Sequence, residues 1–161
     1  MPSPADLSVE VLIEEGVTPP DGLSLASMTS LARHVLLEER MTGEWQIGVQ
    51  FLDDEAMQQA HLDYMGIDSP TDIMTFPYEE DGFGDVPGFD EAERVQGGDL
   101  MISVDRAADH ALDAGWSTEA ELRFLLIHGI LHILGWDDLS DEDRARMLER
   151  QAVLLDSWSG T

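Results

Sequence analysis

The chain has 161 residues, of which 43% are hydrophobic, carries a formal net charge of −26 and contains no cysteine. That size and hydrophobic share suit one globular domain over residues 1–161, and the lack of cysteine excludes disulfides and thiolate metal sites, leaving nitrogen and oxygen ligands. All eight cations are arginines, so a grip on DNA or RNA by phosphate neutralisation alone is disfavoured. No apolar run approaches the roughly 18 residues of a membrane span. The N-terminus "MPSPADLSVE" does not read as a signal peptide, so a cytoplasmic location without a membrane partner is expected.

In chain order, Leu7 to Glu15 alternates apolar and polar residues and predicts a first strand. "TPPDG" breaks it. Leu25, Met28, Leu31, Val35 and Leu36 recur at helical spacing within 24–41. Trp45 to Leu52 predicts a second strand, after which Asp53 or Asp54 can cap a helix to about Met65. "IDSPTD" is a turn, and Asp72 to Pro77 is a short strand stopped by its proline.

An acidic, glycine-rich loop fills 78–97. Its stretch from Glu79 to Glu93 is a candidate docking surface for a basic partner, against the simpler reading of a solvated loop. Gly98 to Val104 is the next strand, and Asp105 to Gly115 a short helix. Thr118 and Glu121 fit a capping box opening a helix through Leu134, which Gly135 ends. Ser140 starts a last helix to about Trp158, with Met147, Leu148, Val153 and Leu154 as its packing face. The order predicts a small α/β domain: a mixed, mostly parallel sheet of about four strands with about five helices.

The helix within 118–134 is apolar all round in its second half, "FLLIHGILHILG", and is therefore expected at the centre of the core. His128 and His132 sit one turn apart on a shared face, so both imidazoles can reach one ion. A bare pair at this spacing is more often two hydrogen-bonded core histidines. Gly135, however, can reverse the chain, and either Asp137 or Asp138 can then return as a third ligand. Such a set leaves a fourth position for water. Gly129 occupies the place of the glutamate base in H-E-x-x-H peptidases, which argues against peptidase chemistry. It points instead to close approach of another backbone, of substrate, or of a packed neighbour. Thr71 and Asp72 read as turn residues, Thr75 and Phe76 as strand residues, and His61 and His110 as isolated histidines.

Three stretches carry a resemblance. "HGILHILGWDD" (128–138) resembles the H-G-x-L-H-L-x-G-Y-D-H signature of the YbeY family of bacterial endoribonucleases. "YMGIDSPTDIMTFP" (64–77) is similar to that family's Y-R-x-x-D-x-P-T-D-V-L-S-F-P, and "GGDLMIS" (97–103) to its L-G-D-I-x-I-S strand. The three occur in family order, so the resemblance covers about 45–155. It implies an α/β fold and a metal-dependent endoribonuclease that cuts single-stranded RNA. It further implies a role in ribosome biogenesis, at the 3′ end of 16S ribosomal RNA. The implied cofactor is one zinc, or another divalent transition metal, per chain. By motif position His128, His132 and Asp138 are the metal ligands, Asp138 standing where the family has a third histidine. Asp137 would then be a neighbouring turn residue. Met65 stands where the family has an arginine suited to phosphate, and Arg106, Arg33 or a partner are candidates to replace that charge. The implied partners are ribosomal RNA and a ribosomal protein or assembly GTPase that presents it. The alternatives are a ribosome-assembly cofactor whose metal is mainly structural and, less favoured because of Gly129, a metal-dependent hydrolase of another substrate.

Overall fold

A computed structural model of the chain describes residues 6–13, 17, 18, 20, 23–69, 71–78 and 96–158. The order is β1 (Asp6–Ile13), α1 (Leu25–Glu38), β2 (Glu44–Leu52), α2 (Asp54–Met65), β3 (Ile73–Pro77), β4 (Gln96–Ser103), α3 (Val104–Ala114), α4 (Thr118–Ile133) and α5 (Asp141–Ser157). The strands form one sheet in the order β1-β2-β4-β3. β1 and β4 each run parallel to β2, and β3 is antiparallel to β4. Among the described residues this is the α/β architecture expected, four strands with five helices. The tail of the first predicted strand, 14–16, and the loop over 79–95 lie outside the described residues, and with it the docking surface from Glu79 to Glu93.

The pleat sorts β2 between two cores. Trp45, Ile47, Val49 and Phe51 are buried in one cluster with Leu31, Val35, Leu126, Ile130, Met147 and Leu154. Leu52 belongs instead to a smaller cluster with Met57, Ala60 and Met74. Period-2 alternation thus sends α1, α4 and α5 to one face of the sheet and α2 to the other. No helix among the described residues is long and apolar enough to cross a membrane.

Each helix begins on a side-chain oxygen that accepts an otherwise orphan backbone N–H. Ser24 caps α1, Asp53 caps α2, Ser103 caps α3 and Ser140 caps α5. The capping box predicted on Thr118 and Glu121 is corrected by one residue: Ser117 is the cap, its hydroxyl accepting from the Ala120 N–H. Thr118 is then the first helical residue, and Glu121 is released from capping. Its side chain is buried, accepting from Trp116 Nε1 at 2.9 Å.

α4 is the central element. Leu122, Leu125, Leu126, Ile127, Ile130 and Leu131 are buried. Gly129 shows why that helix can lie so close to the sheet. A Cβ built there would meet Leu100 Cδ2 at 2.6 Å and Ile73 Cδ1 at 3.0 Å. Of the three readings open for Gly129, packing against neighbouring side chains is the one the fold contains.

Candidate metal centre

Three loop and helix features bring the candidate ligand atoms together. His128 and His132 face the same way because they are one turn apart on α4. The helix then stops in a Schellman motif: Trp136 N–H bonds the Leu131 carbonyl and Gly135 N–H the His132 carbonyl, both at 3.0 Å. Gly135 has φ +105°, which a side chain would resist. The chain therefore turns back beside the last turn of α4. Asp137 Oδ1 accepts the Leu139 N–H at 3.3 Å, an Asx-type contact that shapes the turn. Asp138 points inward, its Oδ2 lying 3.7 Å from His128 Nε2 and 3.6 Å from His132 Nε2.

The imidazoles are wired by their other nitrogens. His128 Nδ1 lies 2.9 Å from Gln151 Oε1, and His132 Nδ1 lies 2.9 Å from the Trp136 carbonyl. Both partners are oxygens that only accept, so both Nδ1 atoms hold the proton. In its neutral form each ring would then present a bare Nε2 lone pair, and the two Nε2 atoms are 3.0 Å apart. Two lone pairs this close repel unless a proton or a cation lies between them. With the Asp138 carboxylate they make three acceptor atoms converging on one point. All three lie within 4.8 Å of one another and are half-buried.

The spacing suits a metal ion. Ligands about 2.0–2.2 Å from one ion in a tetrahedron are about 3.3–3.6 Å from each other, close to the 3.0, 3.6 and 3.7 Å found here. The donor set of two imidazoles and a carboxylate suits zinc or a similar divalent transition metal. Among the described residues these three are the one group arranged to hold an ion.

A family model described as Endoribonuclease YbeY matches residues 21–159. The chain belongs to the YbeY family. It is 34% identical to the Endoribonuclease YbeY of Bacillus licheniformis over 152 residues, covering 94% of this chain and 95% of that protein. It is 37% identical to that of Brevibacillus brevis over 155 residues, covering 93% and 96%. Against that of Salinispora tropica it is 34% identical over 158 residues, covering 96% and 98%. The solution structure of a Thermotoga maritima protein has the same fold, with a TM-score of 0.61, 22% identity, and coverage of 92% of this chain and 87% of that one.

Other residues singled out by sequence fall elsewhere. Met65 is 56% exposed at the end of α2, the helix on the opposite face of the sheet from α4. Arg106 is held by Asp54 at 3.3 Å, and Arg33 is exposed on α1. His61 bonds the Ser69 carbonyl at 2.8 Å. His110, read as isolated, lies between Asp72 and Glu121 at 3.7 and 3.9 Å. Thr75 pairs across with Leu100, and Thr75 and Phe76 are half-buried.

On α5 the packing face is corrected. Met147 and Leu154 are buried, but Leu148 and Val153 are 45% and 49% exposed. Gln151 fills the face between Met147 and Leu154, and sequence reasoning missed it. Its signal was the spacing Met147, Gln151, Leu154, an i, i+4, i+7 stripe with a polar residue at its middle.

A groove of about 560 Å³ lies on the face of the sheet away from the histidines and includes none of the three. Glu10, Gln46, Gln50, Tyr64, Tyr78 and Asp99 line it. Tyr78 donates to Asp99 Oδ1 at 3.1 Å. Its hydroxyl is pushed above the ordinary tyrosine value, first by burial, then by that bond and by the charges of Asp99 and Glu10. Among the described residues its charged lining is two carboxylates, Glu10 and Asp99.

Proposed function

We propose that this protein is a metal-dependent endoribonuclease that cleaves single-stranded RNA during ribosomal RNA maturation, acting at the 3′ end of 16S ribosomal RNA in the cytoplasm. The observation that carries it is the convergence of the His128 and His132 Nε2 atoms and the Asp138 carboxylate, in a chain of the YbeY family. His128, His132 and Asp138 would hold one zinc or another divalent transition metal. Bound there, the ion would supply Lewis acidity to a phosphodiester and its attacking water. Three protein ligands leave a tetrahedral position for such chemistry, and the half-buried side chains leave it open to solvent. Asp138, in place of a third histidine, adds a negative charge that softens that Lewis acidity. Gln151 and the Trp136 carbonyl orient the rings. A peptidase-like base is disfavoured because Gly129 offers no side chain at that position, where a Cβ would meet Leu100 Cδ2 at 2.6 Å.

Most of the arginines among the described residues are already engaged within the chain. Arg106, Arg123, Arg144, Arg146 and Arg150 each face an acidic partner within the chain. Cations committed in this way contribute little to phosphate neutralisation. We therefore assign presentation of the RNA to a partner, a ribosomal protein or an assembly GTPase. The same observation favours a second reading, an assembly cofactor whose metal is mainly structural. One experiment separates them. Wild-type protein and His128→Ala are assayed on single-stranded ribosomal RNA, with the metal content of each measured. The nuclease reading expects about one metal per wild-type chain, cleavage by the wild type, and loss of both in the variant. Stoichiometric metal without cleavage, alone or with assembling ribosomal subunits, would favour the cofactor. Cleavage that survives in a metal-free variant would reject the site.

A further inference from the structure

We infer that Gln151 is a positioning residue for the metal centre: its side-chain amide dictates which nitrogen of His128 carries the proton, and so keeps the Nε2 lone pair aimed at the ion. The inference rests on the metal-site reading above and names the side chain that prepares it.

Gln151 is 1% exposed, whereas Ala152 and Val153 beside it face solvent. Burying an amide is costly unless its polar ends are bonded. Both ends are. Oε1 lies 2.9 Å from His128 Nδ1, and Nε2 donates to the Phe124 carbonyl at 3.4 Å. The second contact decides the first. A backbone carbonyl only accepts, so the NH2 end of the amide must face Phe124. The flipped amide would set two oxygens against each other there. The end left facing the ring is therefore an oxygen, which also only accepts. His128 Nδ1 must then bear the proton, and a neutral ring has one proton to place. The chain of compulsion runs from the Phe124 carbonyl through Gln151 to the Nε2 lone pair.

The two rings differ in what controls them. His132 is oriented by a backbone carbonyl, which no substitution removes. His128 depends on a side chain from another helix, 23 positions along the chain. Phe124 and His128 sit one turn apart on α4, so Gln151 bridges both from α5. That bridge also ties the ligand's orientation to the docking of α5, the helix whose Met147 and Leu154 are fully buried. The neutral amide has a further consequence. A carboxylate would still offer the ring an acceptor, but it would set an oxygen against the Phe124 carbonyl and add a second negative charge beside Asp138. Gln151 positions without lowering the charge on the ion further.

The test uses the full-length protein, the Gln151→Met variant of similar length, and Gln151→Glu, which keeps an acceptor oxygen. In metal-free, ¹⁵N-labelled protein above the histidine titration range, long-range ¹H–¹⁵N spectra read the tautomer of each ring. His128 should be protonated on Nδ1 in the wild type and in Gln151→Glu, and should shift toward the Nε2-protonated form in Gln151→Met. His132 should be unchanged throughout. Zinc affinity, measured by competition with a chromophoric chelator, should fall about 10–100-fold in Gln151→Met, the usual effect of removing such a support, and recover in Gln151→Glu. An Nε2-protonated His128 in the wild type overturns the inference without any variant. So does a Gln151→Met protein with wild-type tautomer and affinity. If the wild type binds no zinc, the metal reading fails, while the spectra still decide whether Gln151 sets the tautomer.

Discussion

Helix α4 carries two histidine–carboxylate clusters about two turns apart, and they are wired differently. At its C-terminal end His128 and His132 have their Nδ1 atoms occupied by oxygen acceptors, so their Nε2 atoms and Asp138 converge. At its N-terminal end Glu121 faces His110 of α3 and Asp72 just before β3. There the same His110 Nδ1 looks toward both carboxylates, at 3.7 and 3.9 Å, and the three groups do not converge on a shared point. Glu121 turns its other oxygen to Trp116. Similar residue types thus give a candidate metal centre in one place and a loose clasp between elements in the other. They differ in composition, two histidines and one acid against one histidine and two acids, and in which ring nitrogen the protein occupies.

The largest expected effect breaks the comparison outright. The double variant His128→Ala, His132→Ala should retain no stoichiometric metal, because only one ligand remains. His110→Ala should retain the wild-type content. Elemental analysis after purification without chelators reads both. Equal loss in the two variants would mean that the clusters are not distinct in the way described.

A smaller effect distinguishes the adjacent aspartates. Asp138→Asn removes the carboxylate nearest both Nε2 atoms and should weaken metal binding clearly. Asp137→Asn should do little, since its amide oxygen can still accept the Leu139 N–H. Asp138→His should keep the metal, as a third imidazole is an equally good donor. Chelator competition ranks the three, and a greater loss in Asp137→Asn than in Asp138→Asn would move the third ligand by one residue.

What could be read from sequence follows the range of the interactions. The histidine pair was legible because helical spacing is local, and the turn at Gly135 because one residue type tolerates its backbone. Sheet class was legible because alternation marks β2 and the glycine-flanked β4. The choice of Asp138 over Asp137 needed the family resemblance, since spacing left both open. The capping site moved to Ser117 because neighbouring Ser and Thr are equivalent caps by composition, and only the backbone decides between them. The partners of Gln151 and of His110 were not legible: each contact joins separate helices or strands, and nothing local records it. On α5 an apolar pattern was counted where a polar residue in the stripe was the informative signal.

The smallest expected effect sharpens the comparison from the other cluster. The Glu121 carboxyl is pushed above the ordinary glutamate value, first by burial and also by Asp72, while the Trp116 bond and His110 pull the other way. Its folded value therefore exceeds its unfolded one. The stability linked to the protonated carboxyl is present in full below the ordinary glutamate range and is lost as pH rises through the raised value. Above that raised value the fold carries a buried carboxylate at some cost. The substitution Glu121→Gln removes the ionisable group, and the new amide oxygen can still accept from Trp116 Nε1. This variant should accordingly melt higher than wild type at pH 7–8, and the gap should close as pH falls through the carboxylate range. A gain of about 1 kcal/mol would appear as about 2–4 °C in a chain of this size. Metal content should not change, because Glu121 lies about 10 Å along the helix from His128. If Glu121→Gln instead melts lower at pH 8, attraction between the carboxylate and His110 outweighs the cost of burial, and this cluster is a true ion pair and not a tolerated charge.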